Sequence, residues 1–404
     1  MRVLCSTTGL LSHARVMIPI ARALLAAGHQ VLVVGPDRLV EPFHEEGIAA
    51  VGIDTDLTNH GQAFWGEGNA GPGDDFDPFD FGFWNQISCG PMVPEGYRLM
   101  LPIAKEFGPD LIVRDGFEYA SVLVAETLGV PQVPTPSGLL LNTDPAQVLP
   151  LLNAHRESLG LALAQRPDSI YPVGGLDWMA PPYEFSPYPM PPMFSFNQSA
   201  GVSRKDRLPA WLADAPADLP LVLASVGTTV PVIMTEVPAD LADGIAGFQS
   251  FFVELVENII KGLSALDCVA VVGTGGMTVN TDLAGPNVHV LDWFPQPAML
   301  DCAQLFVTHA GYGSTCEAMQ SGVPMALQPL FCDQGTNADR VEQYGLGKRL
   351  TEIEPEHITA TCREILDSTE ISVQARLAKR RMLALPPIEA AVTHLESIVA
   401  KTLR

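Results

Sequence analysis

Positive charge is scarce in this chain of 404 residues. Lys and Arg together number 23 against 46 Asp and Glu, a formal net charge of −23. Nucleic acids and anionic membranes are held by clustered cations, so neither is expected as a partner. Small anionic ligands stay open, because surface fields are screened within about 8 Å at physiological salt and local geometry outweighs the global sign. Cysteine is sparse as well. The seven (Cys5, Cys89, Cys268, Cys302, Cys316, Cys332 and Cys362) are odd in number and form no C-x-x-C pair. A thiolate metal site is therefore not expected, and a reduced, cytoplasmic compartment is. No apolar run reaches membrane-spanning length, which excludes a spanning helix on sequence grounds. The N-terminal stretch is apolar but carries Ser12, His13, Arg15 and Arg22 and lacks a small-residue cleavage pattern, so it is not a signal peptide.

What the chain does have is an ordinary globular composition, 47% hydrophobic and 17% charged, at a length that favours two domains. It opens on "RVLCST", a short apolar strand. Val16, Met17, Ile20, Leu24 and Leu25 then recur at helical spacing, Gly28 stops the helix, and "QVLVVGP" is a second strand. This βαβ opening implies a parallel sheet. The rhythm returns at residues 110–135 and again after about Pro220, where "LVLASVGTT", "CVAVVGTGG", "VHVLDW", "LFVTHAGYG" and "VPMALQPL" alternate with helical segments. Two doubly wound α/β domains facing across a cleft are expected, with ligands at the carboxyl ends of the strands. The proline-dense residues 181–194 read as the start of an interdomain linker running to about Pro220. Residues 54–96 break the rhythm. They are rich in Gly, Asp and Pro yet also in aromatics, which suits an ordered binding loop better than a disordered one.

One turn stands out. Between the strand Leu305 to Thr308 and a helix starting near Ser314 lies His309-Ala310-Gly311-Tyr312-Gly313. Such a turn points free N–H groups at one spot, and the helix adds roughly half a positive charge there. Ser314 and Thr315 can cap the helix or donate hydroxyls to the same anion. No Lys lies in the turn, so this is not the lysine-bearing phosphate loop. Taken alone, the turn is either an anion site or a tight structural turn with a buried, satisfied histidine. Its neighbours weigh toward the anion. Trp293 and Gln296 stand upstream in "DWFPQ", Glu317 lies on the following helix, and Asp333-Gln334 come after the next strand. A stacking aromatic, an anion turn and carboxylates for sugar hydroxyls suit a nucleotide-sugar.

The pattern W-x-P-Q … H-x-G-x-G-S-T-x-E-A … G-V-P … D-Q … N resembles the donor signature of the family-one nucleotide-sugar glycosyltransferases of GT-B fold. It is most similar to the bacterial branch that decorates macrolides and polyketides. The resemblance covers essentially the whole chain, most specifically its C-terminal half. It implies that Trp293 stacks on the base with Gln296 beside it. His309, Gly311, Gly313, Ser314 and Thr315 would hold the diphosphate, with Ser225 and Thr228 of "SVGTT" approaching it. Glu317 would meet the ribose, Asp333 and Gln334 the donor sugar, and Asn337 would lie near the phosphate.

The resemblance also implies a histidine base after the first strand. His13 stands 15 residues before Gly28, as in the family, although Ser12 and Val16 replace the Gly and Pro of the usual G-H-x-x-P. A base that becomes positive needs an orienting carboxylate. Asp115, ending "DLIVRD", is the matching position, and Glu118 would share that role or face the acceptor. Asp115 also reads as a plain helix cap. The acceptor site is read from the aromatic stretch, with Phe64, Trp65, Phe83 and Trp84, as suited to a large apolar molecule.

The expected organisation is then an acceptor domain over 1–200, a linker over 201–219, a donor domain over 220–385, and a C-terminal helix over 386–404 packing back on the first domain. The donor is a nucleoside-diphosphate sugar, with thymidine diphosphate favoured over uridine diphosphate, and no cofactor is expected. "DTD" at 54–56 and "DFD" at 75–77 are chance strings in so acidic a chain, so no metal is expected. A homodimer is compatible with all of this. Two rival readings share the architecture: a sugar-nucleotide 2-epimerase, and a non-catalytic sugar-nucleotide-binding protein.

Overall fold

The computed structural model describes residues 1–9, 11–54, 77–136, 138–198, 207–229 and 242–402. The aromatics Phe64 and Trp65, with residues 55–76 of the irregular stretch that holds them, and residues 230–241 lie outside the described residues.

The chain divides into two compact units. One is formed by the residues up to Gln198 together with those from Leu385 onward, the other by Ser199–Ala384. In the first, β1 (Arg2–Ser6), β2 (Gln30–Pro36), β3 (Ala50–Ile53), β4 (Leu111–Asp115) and β5 (Gln132–Thr135) form a parallel sheet in the order β3-β2-β1-β4-β5. The helix Leu11–Ala26 buries Ala14, Met17, Ile20, Ala21 and Leu24 at helical spacing. It stops at Gly28, whose φ of +83° suits glycine. There the N–H of His29 reaches the carbonyl of Leu24 and that of Gly28 the carbonyl of Leu25, the paired closure that satisfies a helix C-terminus.

Strand alternation sends side chains to two cores. Val3, Cys5, Leu111 and Val113 join the cluster under the helix Leu11–Ala26. Leu4 and Ile112 join the opposite cluster, with Val93 and Met100 of the helix Met92–Phe107 and Val122 and Leu123 of the helix Ala120–Leu128. The final helix, Ile388–Thr402, adds Ala391, Val392, Leu395, Ile398 and Val399 to the first cluster.

The proline-dense stretch corrects the expectation of a linker beginning at residue 181. Tyr183, Phe185 and Phe196 are buried, and β6 (Gly175–Asp177) pairs in parallel with β7 (Met193–Ser195). Prolines fix φ without opposing burial of the aromatics between them. This segment is therefore part of the first unit, which runs to Gln198.

The second unit has β8 (Leu221–Ser225), β9 (Val269–Gly273), β10 (Val288–Leu291), β11 (Leu305–Thr308), β12 (Met325–Leu327) and β13 (Gly347–Arg349). All pair in parallel, in the order β10-β9-β8-β11-β12-β13. Both units are Rossmann-like, and in each the strand order reverses once: beside β1 and β4 in the first, and beside β8 and β11 in the second. Chain loops diverge at such a point and leave a crevice at the carboxyl ends of the strands.

Candidate active site

At the first reversal, β1 leads into Thr7, Thr8 and Gly9, and the helix bearing His13 follows. Gly9 has φ +75°, and a Cβ there would lie 3.5 Å from the His13 ring. Glycine is required by the left-handed turn, and a Cβ would make only an ordinary contact with the imidazole. Asp115 ends β4, the neighbouring strand. His13 Nδ1 and Asp115 Oδ2 are 2.8 Å apart. The carboxylate is 2% exposed and the imidazole 14%. The other oxygen, Oδ1, accepts the Phe117 N–H at 2.8 Å, which fixes the orientation of the group. Asp115 thus contacts the His13 ring and also holds the turn at Phe117, whereas the helix that follows begins at Ala120. An ionised carboxylate can only accept, so Nδ1 carries the proton and Nε2 is the basic nitrogen.

Glu118 does not share that work. Its carboxylate accepts the Ser6 hydroxyl at 2.9 Å and the N–H groups of Ala120 and Ser121, at 2.7 Å and 3.1 Å. It caps the helix Ala120–Leu128 and ties it to β1. It also lines a small cavity with Thr7, Thr8, Met92 and Val93. Phe83 and Trp84 lie on the helix Phe81–Ser88, edge to face at 5.1 Å. Trp84 packs on the core and donates its indole N–H to Pro78 O.

At the second reversal, Thr308 of β11 pairs with Ser225 of β8, so the turn after one strand meets the loop after the other. The His309 imidazole sits between two glycines. A Cβ on Gly227 would fall 2.5 Å from its Cε1, and one on Gly311 would fall 2.4 Å from its Nε2. Gly227 also has φ +82°. Burial pushes His309 down to about 4, opposed by the backbone of Ser225, so the ring is neutral at pH 7.

The turn is strained. Ala310 (φ +64°) and Cys332 (φ +55°) are the left-handed non-glycine residues among those described, and both adjoin predicted donor residues. Such strain persists where surrounding bonds over-determine it. Here Asn337, fully buried, donates to Ala310 O at 3.0 Å and to Asp333 Oδ2 at 2.7 Å. Gln334 Oε1 accepts the N–H groups of Leu330 and Phe331. Asp333 and Gln334 are thus buried inside the loop that carries them.

The helix Tyr312–Ser321 starts from Gly311, which has no side chain with which to cap it. Gly313, in its first turn, faces open space. A glycine in a helix costs about 1 kcal/mol relative to alanine, which close approach by a ligand would justify. Gln296 bridges Glu317 at 2.7 Å and Ser314 at 3.2 Å. Thr315 is fully buried, and its hydroxyl has no partner among the described residues. Thr228 is half-buried in the β8 loop. Trp293 is 55% exposed, although its neighbours are held. Asp292 Oδ1 accepts the Thr274 hydroxyl at 3.3 Å, and Phe294 packs where a Cβ on Gly273 would be. A large aromatic exposed on anchored backbone is a ready stacking platform. Among the described residues no three His, Cys, Asp or Glu are grouped so as to hold a metal, and no helix is long and apolar enough to cross a membrane.

Residues 274–389, which span this second site, match the family model of UDP-glucoronosyl and UDP-glucosyl transferases. The chain is a glycosyltransferase. Along its length the glycosyltransferase is similar to the L-demethylnoviosyl transferase of Streptomyces niveus, at 25% identity over 94% of this chain and 93% of that protein. It is also similar to the 3-alpha-mycarosylerythronolide B desosaminyl transferase of Saccharopolyspora erythraea, at 24% identity over 99% of both. In fold it resembles the glycosyltransferase VinC, solved in complex with dTDP, with a TM-score of 0.71, 21% identity, and 99% and 100% of the two chains covered. The glycosyltransferase thus has the GT-B architecture of two Rossmann-like domains.

Three contributors escaped the sequence reading: Gly9, Gly227 and Arg114. The glycines were visible as letters, but only the left-handed φ of Gly9 and the packing of Gly227 against the His309 ring show why they are there.

Proposed function

We propose that this glycosyltransferase moves a deoxysugar from a thymidine-diphosphate donor to a hydroxyl of a large apolar natural product, with inversion and without a metal ion. The observation that carries the reading is the 2.8 Å contact between His13 and Asp115 in a chain whose other unit carries the donor signature. The family alone supplies the donor side; the dyad supplies the base that an acceptor hydroxyl needs.

In this mechanism His13 Nε2 takes the acceptor proton as the hydroxyl oxygen attacks the anomeric carbon. The bond from that carbon to the diphosphate oxygen breaks on the opposite face, so configuration inverts. Asp115 stabilises the imidazolium that forms. The diphosphate gathers its charge against the N-terminus of the helix Tyr312–Ser321. Trp293 stacks on the base, and Glu317, presented by Gln296, accepts the ribose hydroxyls. Neutral His309 acts as a hydrogen-bond donor without adding charge. The thymidine preference rests on the dTDP complex of VinC, and the deoxysugar and acceptor class on the named relatives. We place the enzyme in the cytoplasm.

The test pairs dTDP- and UDP-sugars with a panel of macrolide and aromatic polyketide aglycones, and reads product by mass and anomeric configuration by NMR. An inverted glycoside formed from the dTDP donor supports the reading. Donor consumption without any acceptor would point to an epimerase instead, and a retained anomeric configuration would exclude the His13 mechanism.

A further inference from the structure

Two arginines head the fully buried side chains of the described residues, Arg114 and Arg156. Arg156 has a partner of opposite charge, Glu126 at 2.8 Å. Arg114 makes no such ion pair among the described residues. A buried cation without a counter-ion is costly unless its donors are all met. Each of the three Arg114 nitrogens meets an oxygen that carries no charge. Its Nε donates to Gln132 Oε1 at 2.8 Å and its Nη2 to Ile170 O at 2.7 Å. Its Nη1 reaches three carbonyls of one turn: Asp115 O at 3.1 Å, Gly116 O at 2.9 Å and Glu118 O at 3.3 Å. Gln132 in turn donates to Ile170 O at 2.9 Å, which locks the far side of the fork. Burial lowers the Arg114 pKa, partly offset by Tyr119, Tyr171, Glu118 and Asp115 around it.

The turn it grips is the one that carries Asp115. Adjacent residues of a strand point to opposite faces. Arg114 therefore lies on the side of Ile112 and its cluster, while Asp115 lies on the side of the helix bearing His13. Charge-assisted bonds are about twice as strong as neutral ones, and a planar fork fixes direction as a point charge cannot.

We propose that Arg114 is a positioning residue for glycosyl transfer: by clamping the carbonyls of Asp115, Gly116 and Glu118 from behind, it sets the Asp115 carboxylate against His13 Nδ1. The inference rests on the reading of His13 as the base, and its test is independent of turnover. In the full-length protein, ¹⁵N NMR of the neutral His13 ring reports which nitrogen holds the proton, with His13→Ala giving the assignment. The wild type is expected to be predominantly protonated at Nδ1. In Arg114→Gln and Arg114→Lys the ratio of Nδ1–H to Nε2–H falls several-fold, while dTDP affinity, a property of the other unit, is unchanged. In an Asp115→Asn background Arg114→Gln adds no further shift.

Arg114→Lys keeps the charge and loses the fork, so a fall in both variants separates geometry from a simple change of field. An unchanged ratio in both overturns the proposal, as does an equal fall without Asp115. Loss of cooperative unfolding and of dTDP binding in both variants would make Arg114 a residue of core stability and overturn it too. Should His13→Ala retain turnover, the base assignment fails while the tautomer result stands, so the two failures are distinguishable.

Discussion

His309 shows how much a single side chain can ask of its surroundings. Its ring occupies the space that Cβ atoms on Gly227 and Gly311 would take, so two loops from neighbouring strands are built around one imidazole. Gly227→Ala would combine a 2.5 Å collision with a left-handed φ of +82°. The φ term alone costs about 1–2 kcal/mol. The expected outcome is a lower unfolding midpoint and at least tenfold weaker dTDP binding by calorimetry, with unchanged dTDP affinity counting against the assigned role.

The His309 pKa makes a separate prediction. It is depressed from 6.5 to about 4 in the folded protein. Below 6.5 the unfolded chain takes up the proton first, so stability falls as pH drops from 6.5 toward 4 and changes no further below that. The full loss is roughly 3 kcal/mol at 1.36 kcal/mol per unit. Urea titrations of wild type and His309→Asn across this window should diverge, the variant being the flatter. Parallel curves would contradict the buried neutral state. His13 is the third residue-scale case: His13→Ala should lower kcat by about 10²–10⁴ while leaving dTDP affinity unchanged, as measured by steady-state kinetics and calorimetry.

Elements carry the next level of explanation. The helix Tyr312–Ser321 buries Tyr312, Cys316, Ala318 and Met319, and the turn before it is held by the clamp from Asn337 to Ala310 O and Asp333. Asn337→Ala leaves a buried carbonyl and a buried carboxylate short of a donor, each costing about 1–3 kcal/mol. It should lower stability and weaken donor binding together, whereas Asn337→Asp removes the donor and adds a charge beside Asp333 and should be worse. The order of these two variants in thermal unfolding checks the clamp. The last helix, Ile388–Thr402, acts differently. Leu395 is fully buried in the core beneath the helix that bears His13. Leu395→Ala should cost about 2–5 kcal/mol without touching donor affinity.

Two Rossmann-like units each bring their candidate site residues to the point where the strand order reverses, the His13–Asp115 pair in one and the Gly-rich turn in the other. A helix N-terminus and a neutral histidine serve the diphosphate without metal in the proposed mechanism. Excess chelator is therefore expected to leave the rate unchanged, and a loss restored by magnesium or manganese would contradict it. The net charge of −23 does not oppose an anionic donor, because aligned backbone dipoles act at contact distance where the global field is screened.

Periodicity, turn residues and spacing were enough to determine the class of fold, the two β/α-alternating halves and most of the donor signature, because helix and strand patterns and strand-to-helix turns are local properties of the chain. The pairing of His13 with Asp115 was legible only through a family resemblance, and nothing in the intervening residues encodes a contact across 102 positions. Tertiary structure decided what locality cannot. It spent Glu118 on a helix cap, folded the proline-dense stretch into the first unit, left Trp293 exposed, and buried Asp333 and Gln334 in their own loop. Each of these depends on which strand lies beside which, and so on where the free hydrogen-bonding groups and the empty volume fall. The same holds for Gly227, whose meaning lies in the histidine packed against it.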